Sequence, residues 1–398
     1  MNSDTNVIIF GGYVNGYSIA RTIYETYGIK SHIFDYVKRF SSKSRIVSYH
    51  MTHSPAKETT KFLDDIKDFG KATNGKENII FVTNDEWLIP LAKYKSDLEE
   101  HFTYTFSDWE VIEKLTIKKN LYKLCETLGI PYPNTKVIDE DSVDMIDDLQ
   151  CPLLVKPSSV VNYMMITKER RNNVFNNHTE AKNFLRRSFK NYKDFFIVQE
   201  YIPGGPENLY TATTYSNKNG FLKGISIGHK LSQNPPEAGT ITAGYIEYIY
   251  DIEQLTKKLL RETKYYGIAN TEYKYDKRDN TYKMIEVNPR PGMWNYSSLK
   301  SGVNLFYLLI EDLHSQNSVN IVEDDDIIRG KRNVVWTVLP RTQLKRILKK
   351  VNLTRYEEIV DPRKNSEESI YYQTYIMLAD VKEIGKTALK KVIKLSRT

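Results

Sequence analysis

The chain has 398 residues, 40% of them hydrophobic, and a formal net charge of +7 from 57 basic and 50 acidic side chains. That is enough apolar material for substantial cores and a length for about two to three domains, which excludes a disordered or fibrous chain. The charge is small for this size and spread along the sequence, so it suits an anionic substrate and argues against a dedicated nucleic-acid binder.

Cys125 and Cys151 are the only cysteines and lack metal-ligand spacing, which points to a reducing compartment and ordinary thiols. The apolar run Val7 to Phe10 is too short for a signal sequence, and no stretch reaches the roughly 20 apolar residues of a membrane span, so the chain reads as cytoplasmic. No signal of oligomeric state is present.

In chain order, NVIIFGGYVNGYSIARTIYETYGIKSHIFDY predicts a buried strand, a glycine turn, a helix with apolar spacing at Ile19, Ile23 and Tyr27, and a second strand. Gly11, Gly12 and Gly16, with Asp35 at the end of the second strand, invite a dinucleotide site, but the GGxxxG pattern departs from that fingerprint and reads as a structural turn. A helix from Glu58 to Phe69, the strand ENIIFV and a helix from Glu86 to Tyr94 capped by Asn84 continue the alternation. Thr83, Asn84 and Asp85 fall at that strand's carboxyl end, the usual ligand side of an open sheet, and equally suit the start of a capped helix.

The character changes at LTIKKNLYKLCETLGIPYPNTKVI, a basic helix stopped by Gly129, Pro131 and Pro133 before a new strand, which marks a domain entry. In CPLLVKPSSV a single lysine, Lys156, stands in an apolar strand; an unpaired buried ammonium costs several kcal/mol, so a bound phosphate is a natural partner. FFIVQEYI runs into Pro203 and Gly204, a hinge that can present backbone groups edge-on to a ligand. Two runs, Tyr210 to Tyr215 and Phe221 to Ile227, pair around the NKNG turn, and His229 with Lys230 ends the second. His229 is open to a structural or a general-base reading. The Gly- and Pro-rich LSQNPPEAGTITAGYIEY is placed near an acceptor substrate.

After a basic-faced helix from Asp251 to Tyr266 comes GIANTEYKYDKRDNTYKMIEVNPRPG, two alternating runs joined by a turn cluster. Glu286 and Asn288 share one strand face, and pairing can bring Glu272 opposite them. Two carboxylates and an amide oxygen suit Mg²⁺ rather than zinc, although an edge hairpin with a solvated acidic face has the same spacing. A helix-like run, SSLKSGVNLFYLLIEDL, and a tail with the strand VVWTVLP follow. Lys386, Lys390, Lys391 and Lys394 alternate with apolar residues in a basic amphipathic helix that can rest on an anionic membrane surface or pack on the domain.

The combination of two lysines, the EYIPG hinge with a later glutamate, and E-x-N-P-R resembles the ATP-grasp family over most of the chain. The resemblance implies an α/β (α+β) chain, with a half-Rossmann parallel-sheet domain (1–114) before an ATP-grasp domain (115–313) and a C-terminal extension (314–398). It places Lys118, with Lys119 as its neighbouring contender, and Lys156 on ATP phosphates, Ser158 to Tyr163 as a flap, Glu200, Tyr201 and Ile202 around adenine and Glu207 on ribose. Glu272, Glu286 and Asn288 become Mg²⁺ ligands, with Mn²⁺ as an alternative ion. Arg290 and Lys156 become catalytic, and Asn15 and Arg21 substrate contacts. The flap lacks the glycines of many relatives, and Pro289 and Pro291 flank Arg290.

Within the family the opening segment, the flap and the tail are most similar to D-aspartate ligases, which attach D-aspartate to an amine of a cell-wall precursor. The implied reaction is amide formation through an acyl phosphate, using ATP, an amino acid and a peptide or amine acceptor. A nucleotide-binding sensor or scaffold without turnover, and a carboxylase or synthetase of another substrate class, are the alternatives.

Overall fold

The computed structural model describes residues 4–158, 163, 172–235, 239–315 and 326–363. The expected flap interior and the basic helix after residue 385 lie outside them.

The first strands, β1 (Thr5–Phe10), β2 (Ser31–Asp35), β3 (Val47–Met51), β4 (Glu77–Val82) and β5 (Thr103–Tyr104), form a parallel sheet in the order β3-β2-β1-β4-β5. β1 is buried along its whole length, as a strand covered on both faces must be. Helices α1 (Val14–Tyr27), α2 (Thr59–Ala72) and α3 (Asp85–Lys93) supply the covers. The glycine turn has a packing role. A Cβ on Gly16 would lie 1.9 Å from the Gly11 carbonyl oxygen, so only glycine lets α1 approach β1 this closely.

Helices α4 (Trp109–Thr116) and α5 (Lys118–Leu128) lead into a small antiparallel sheet. Its strands β6 (Thr135–Ile138), β7 (Leu153–Pro157), β8 (Asn173–Phe175) and β9 (Phe196–Glu200) run in the order β6-β9-β7-β8 and pack on α6 (His178–Ser188). The largest sheet is built from β10 (Leu209–Ser216), β11 (Leu222–Asn234), β12 (Thr240–Ile246), β13 (Gly267–Asp276) and β14 (Thr281–Asn288). Helix α7 (Tyr250–Thr263) covers one face.

Two expectations change here. The second hairpin strand does not stop at Lys230 but runs on to Asn234, because its partner β12 continues the ladder through Thr240. The run SSLKSGVNLFYLLIEDL is two helices, α8 (Tyr296–Lys300) and α9 (Leu305–His314). Gly302 at φ +104° breaks the first, and the Asn304 side chain caps the second by accepting from the Tyr307 amide.

Helix α9 binds the two large sheets together. Phe306, Leu309 and Ile310 pack with Val7, Ile9 and Phe81 on one side and Tyr215 and Ile268 on the other. The chain beyond residue 313 is also woven in: β15 (Ile328–Arg329) pairs with β11, β16 (Val334–Thr337) with β12, and β17 (Glu358–Val360) with β16. Among the described residues no helix is long and apolar enough to cross a membrane.

Candidate active site

The hairpin β13–β14 forms in the expected register. Glu272 pairs with Glu286 and Asn270 with Asn288, which puts the two carboxylates side by side on one sheet face. Like charges so placed repel, and the surroundings answer with cations. Lys118 Nζ, from the first turn of α5, lies 3.5 Å from Glu286 Oε1, and Lys230 Nζ, from β11, lies 3.2 Å from Glu272 Oε2. Lys119 is exposed, so of the two neighbouring lysines Lys118 reaches the cluster.

Burial disfavours ionisation of Glu286, but Lys118, Lys156, Arg290 and Lys230 outweigh it and hold its carboxyl below the usual glutamate range. Lys156, half-buried on β7, is pushed down to about 8 by burial and by Lys118, with Glu286 and Glu272 opposing the shift. Lys156 thus stands in this field without an ion pair among the described residues.

Arg290 ties the site to the parallel sheet. Its Nε donates to Asp85 Oδ1 at 2.7 Å, one terminal nitrogen to the Thr83 carbonyl at 3.2 Å and the other to Asn288 Oδ1 at 2.9 Å. Buried Asn270 sets the turn that aims it, donating to the Arg290 carbonyl at 2.9 Å and accepting from Thr213 at 2.8 Å. Gly292 is required beside it, since a Cβ there would sit 2.7 Å from the Asn270 amide.

At the hinge, the Glu200 amide donates to the Asn134 carbonyl at 3.0 Å and the Tyr201 amide to the Pro152 carbonyl at 2.8 Å. The Glu200 carboxylate accepts from Asn134 Nδ2 and the Gln150 amide, so this side chain holds the hinge to the small sheet. Ile202 is buried, and Glu207 is exposed, with its carboxylate on the Gly205 amide at 3.1 Å. The sequence reading missed Lys274. It lies two residues beyond Glu272 on β13, its ammonium 4.5 Å from the centre of the Tyr201 ring, and burial pushes it down to about 8. Strand period was the signal that could have found it, since Glu272 and Lys274 share a face.

Two residues stand elsewhere, and a third shares a partner with Arg290. Arg21 is no substrate contact: it is buried, donates to Glu25 at 2.8 Å and to the Pro362 carbonyl at 2.9 Å, and lies over the Tyr296 ring. His229 pairs in register with Tyr210 and so faces away from the carboxylates, bonded to Glu247; it does not act as their general base. Asn15 donates to the Thr83 carbonyl at 2.6 Å. Of the expected flap, Ser158 bonds Tyr192 and Asp194, and Tyr163 is buried against the Tyr192 and Phe196 rings.

Among the described residues, no three His, Cys, Asp or Glu side chains gather to hold a metal by themselves. Glu272, Glu286 and Asn288 lie on one sheet face, where the Asn288 oxygen accepts from Arg290, and their oxygen donors are the kind Mg²⁺ takes when phosphates and water complete its shell.

No protein-family model matches the sequence. Solved structures do match: N5-carboxyaminoimidazole synthetase from Staphylococcus aureus superposes with a TM-score of 0.64 at 13% identity, covering 88% of this chain and 87% of that one. L-amino acid ligase from Bacillus licheniformis superposes at 0.56 and 16% identity over 78% and 74% of the two chains. The chain has the ATP-grasp fold. In sequence it is similar to D-aspartate ligase from Enterococcus faecium, 27% identical over 329 residues, 78% of this chain and 77% of that protein. What the chain shares with these ligases and synthetases is the fold, and its sequence similarity to D-aspartate ligase runs over most of both chains.

Proposed function

We propose that the chain uses ATP to join an amino acid to an amine through an acyl phosphate, with D-aspartate as the leading acid and a peptide-borne amine of a cell-wall precursor as the leading acceptor. The observation that carries this reading is the paired carboxylates Glu272 and Glu286, ringed by Lys118, Lys156, Lys230 and Arg290, a charge arrangement matched to a polyphosphate. D-aspartate enters through the name of the E. faecium relative.

Glu272, Glu286 and Asn288 fit Mg²⁺ by their hard oxygen donors and would hold it, and the ion when bound would supply positive charge against the phosphates. The rest is done by side chains. Lys118 and Lys156 orient the phosphates. Arg290, fixed by Asp85 and Thr83, stabilises charge on the transferring phosphoryl group and then on the tetrahedral oxyanion as the amine displaces phosphate. With the Glu200 and Tyr201 amides already donating, base reading falls to the Ile202 amide and the hinge carbonyls, and ribose to Glu207.

The test is a phosphate-release screen of purified protein with ATP, Mg²⁺ and a panel of D- and L-amino acids, with and without amine acceptors. Amino-acid-dependent release with a product heavier by one residue minus water is expected. Tight ATP binding without turnover on any pair would favour the sensor, and bicarbonate-dependent turnover the carboxylase. ATP should bind more tightly than GTP, and Glu207→Ala should cost about 1 to 3 kcal/mol of ATP binding through lost charged hydrogen bonds. Equal ATP and GTP affinity by calorimetry would refute the hinge assignment.

A further inference from the structure

A cavity of about 280 Å³, apart from the carboxylate cluster, opens at the carboxyl ends of β1, β2 and β4. That edge of a parallel sheet is where ligands of open α/β folds sit. At the small end of ligand pockets, its volume suits a metabolite rather than a macromolecule. Two charged groups in its wall are incompletely answered by the protein. The Glu86 carboxylate accepts from Tyr36 Oη at 3.0 Å and Ser54 Oγ at 3.3 Å, but among the described residues no cation meets it. Arg39, with its side chain 37% exposed, reaches Asp35 only through Nε at 3.4 Å, and its two terminal nitrogens meet no carboxylate among the described residues.

Asp35 is differently placed. It is buried and already accepts from the Gly12 amide at 2.8 Å and the Val37 amide at 3.0 Å, so it anchors the loop and Arg39 rather than a ligand. The cavity also meets the start of α1, where the Tyr13 side chain at the N-cap makes no capping bond, while the Gly16 amide donates to Asn15 Oδ1 at 3.1 Å and leaves the earlier amides of the turn for a ligand. A carboxylate beside Arg39 would gain from those helix amides. The cavity wall therefore offers one cationic group, Arg39, and one anionic group, Glu86.

We propose that this cavity binds the zwitterion of a free α-amino acid, its ammonium on Glu86 and its carboxylate on Arg39. The assignment rests on the amino-acid ligase reading for its purpose, but not for its chemistry. The wall of the cavity also touches the phosphate cluster: the Thr83 carbonyl accepts from Asn15 in the cavity and from Arg290 in the cluster. The Thr83 carbonyl thus links the cavity wall to Arg290.

Calorimetry without nucleotide tests this, using D-aspartate, L-aspartate, D-alanine and glycine as probes, with succinate and ethylamine as controls carrying one kind of charge. At least one amino acid should bind more tightly than either control. Arg39→Met and Glu86→Gln should each weaken it about tenfold or more, through loss of one charged contact, and leave ATP affinity within twofold. Glu86→Gln keeps the shape and leaves one oxygen to accept from Tyr36 or Ser54, the other hydroxyl turning to accept from the new amide nitrogen, and an unchanged melting temperature would verify that the fold survives. No binding by any amino acid, binding indifferent to both substitutions, or controls binding as well as the amino acids would each overturn the proposal. Amino-acid binding sensitive to both substitutions in a protein that fails to bind ATP would refute the ligase reading and leave this site standing.

Discussion

Glu286→Gln should lower amino-acid-dependent phosphate release by at least about 100-fold while leaving the circular dichroism spectrum and melting temperature nearly unchanged. The amide keeps the shape of the carboxylate but removes the negative charge on which Lys118, Lys156, Arg290 and Lys230 converge. Two effects then add. The oxygen set formed with Glu272 and Asn288 loses half its formal charge, so Mg²⁺ affinity falls. The four cations also lose their shared counter-ion, and Lys156, whose ammonium Glu286 helps to keep protonated, is driven further down from its value of about 8. The substituted protein should therefore need more Mg²⁺ and show its best ATP binding at lower pH than the parent. Turnover near that of the parent at saturating Mg²⁺ would sink the metal assignment.

What the sequence made legible was what local rules control. The pairing of Glu272 with Glu286 follows from period-two alternation on both sides of one turn, and the structure realises it in that register. The strand ENIIFV is β4 residue for residue, its short length and its Ile, Phe and Val content favouring a covered strand over a buried helix. Contacts between distant segments were not legible. Arg290 could be placed after the acidic strand, yet its partners Asp85 and Thr83 stand about two hundred positions earlier, and no spacing rule joins them.

The same limit explains Arg21, which looked available on a helix near the glycine loop. It is in fact closed off by Pro362, from a part of the chain whose course only the folded β16–β17 pair reveals. His229 and Lys230 are adjacent in sequence but face opposite sides of β11, and which side carries the carboxylates depends on the register with β10 and β13. Lys274 hid in a hairpin whose acids drew the reading, although the alternation that put Glu272 on the site face puts Lys274 there too.

Lys156 carries a prediction in which two observables move in opposite directions with pH. Burial holds its folded value at about 8, against an ordinary 10.5, so between those values the unfolded chain binds a proton that the folded chain has lost. The unfolded state binds more protons there, and the stability of the ligand-free protein should rise with pH through this group. Lys274, also at about 8, acts in the same sense. The window to read is pH 7 to 9, because above it the buried Cys125 thiol, pushed up to about 12 from 9, contributes with the opposite sign. Nucleotide binding should do the reverse. A bound phosphate needs the ammonium, so ATP affinity should fall as pH rises through about 8, approaching about tenfold per unit beyond it. ATP's phosphates are already ionised over this window and add no change of their own. Lys156→Met should remove most of this dependence and weaken ATP binding about 10- to 100-fold at neutral pH, through loss of a charge-assisted contact. It should leave the ligand-free fold at least as stable, since a half-buried ammonium is replaced by an apolar chain of similar length. Calorimetric ATP titrations at pH 7, 8 and 9 on both proteins measure this, and an affinity flat across that range in the parent would remove Lys156 from the phosphate site.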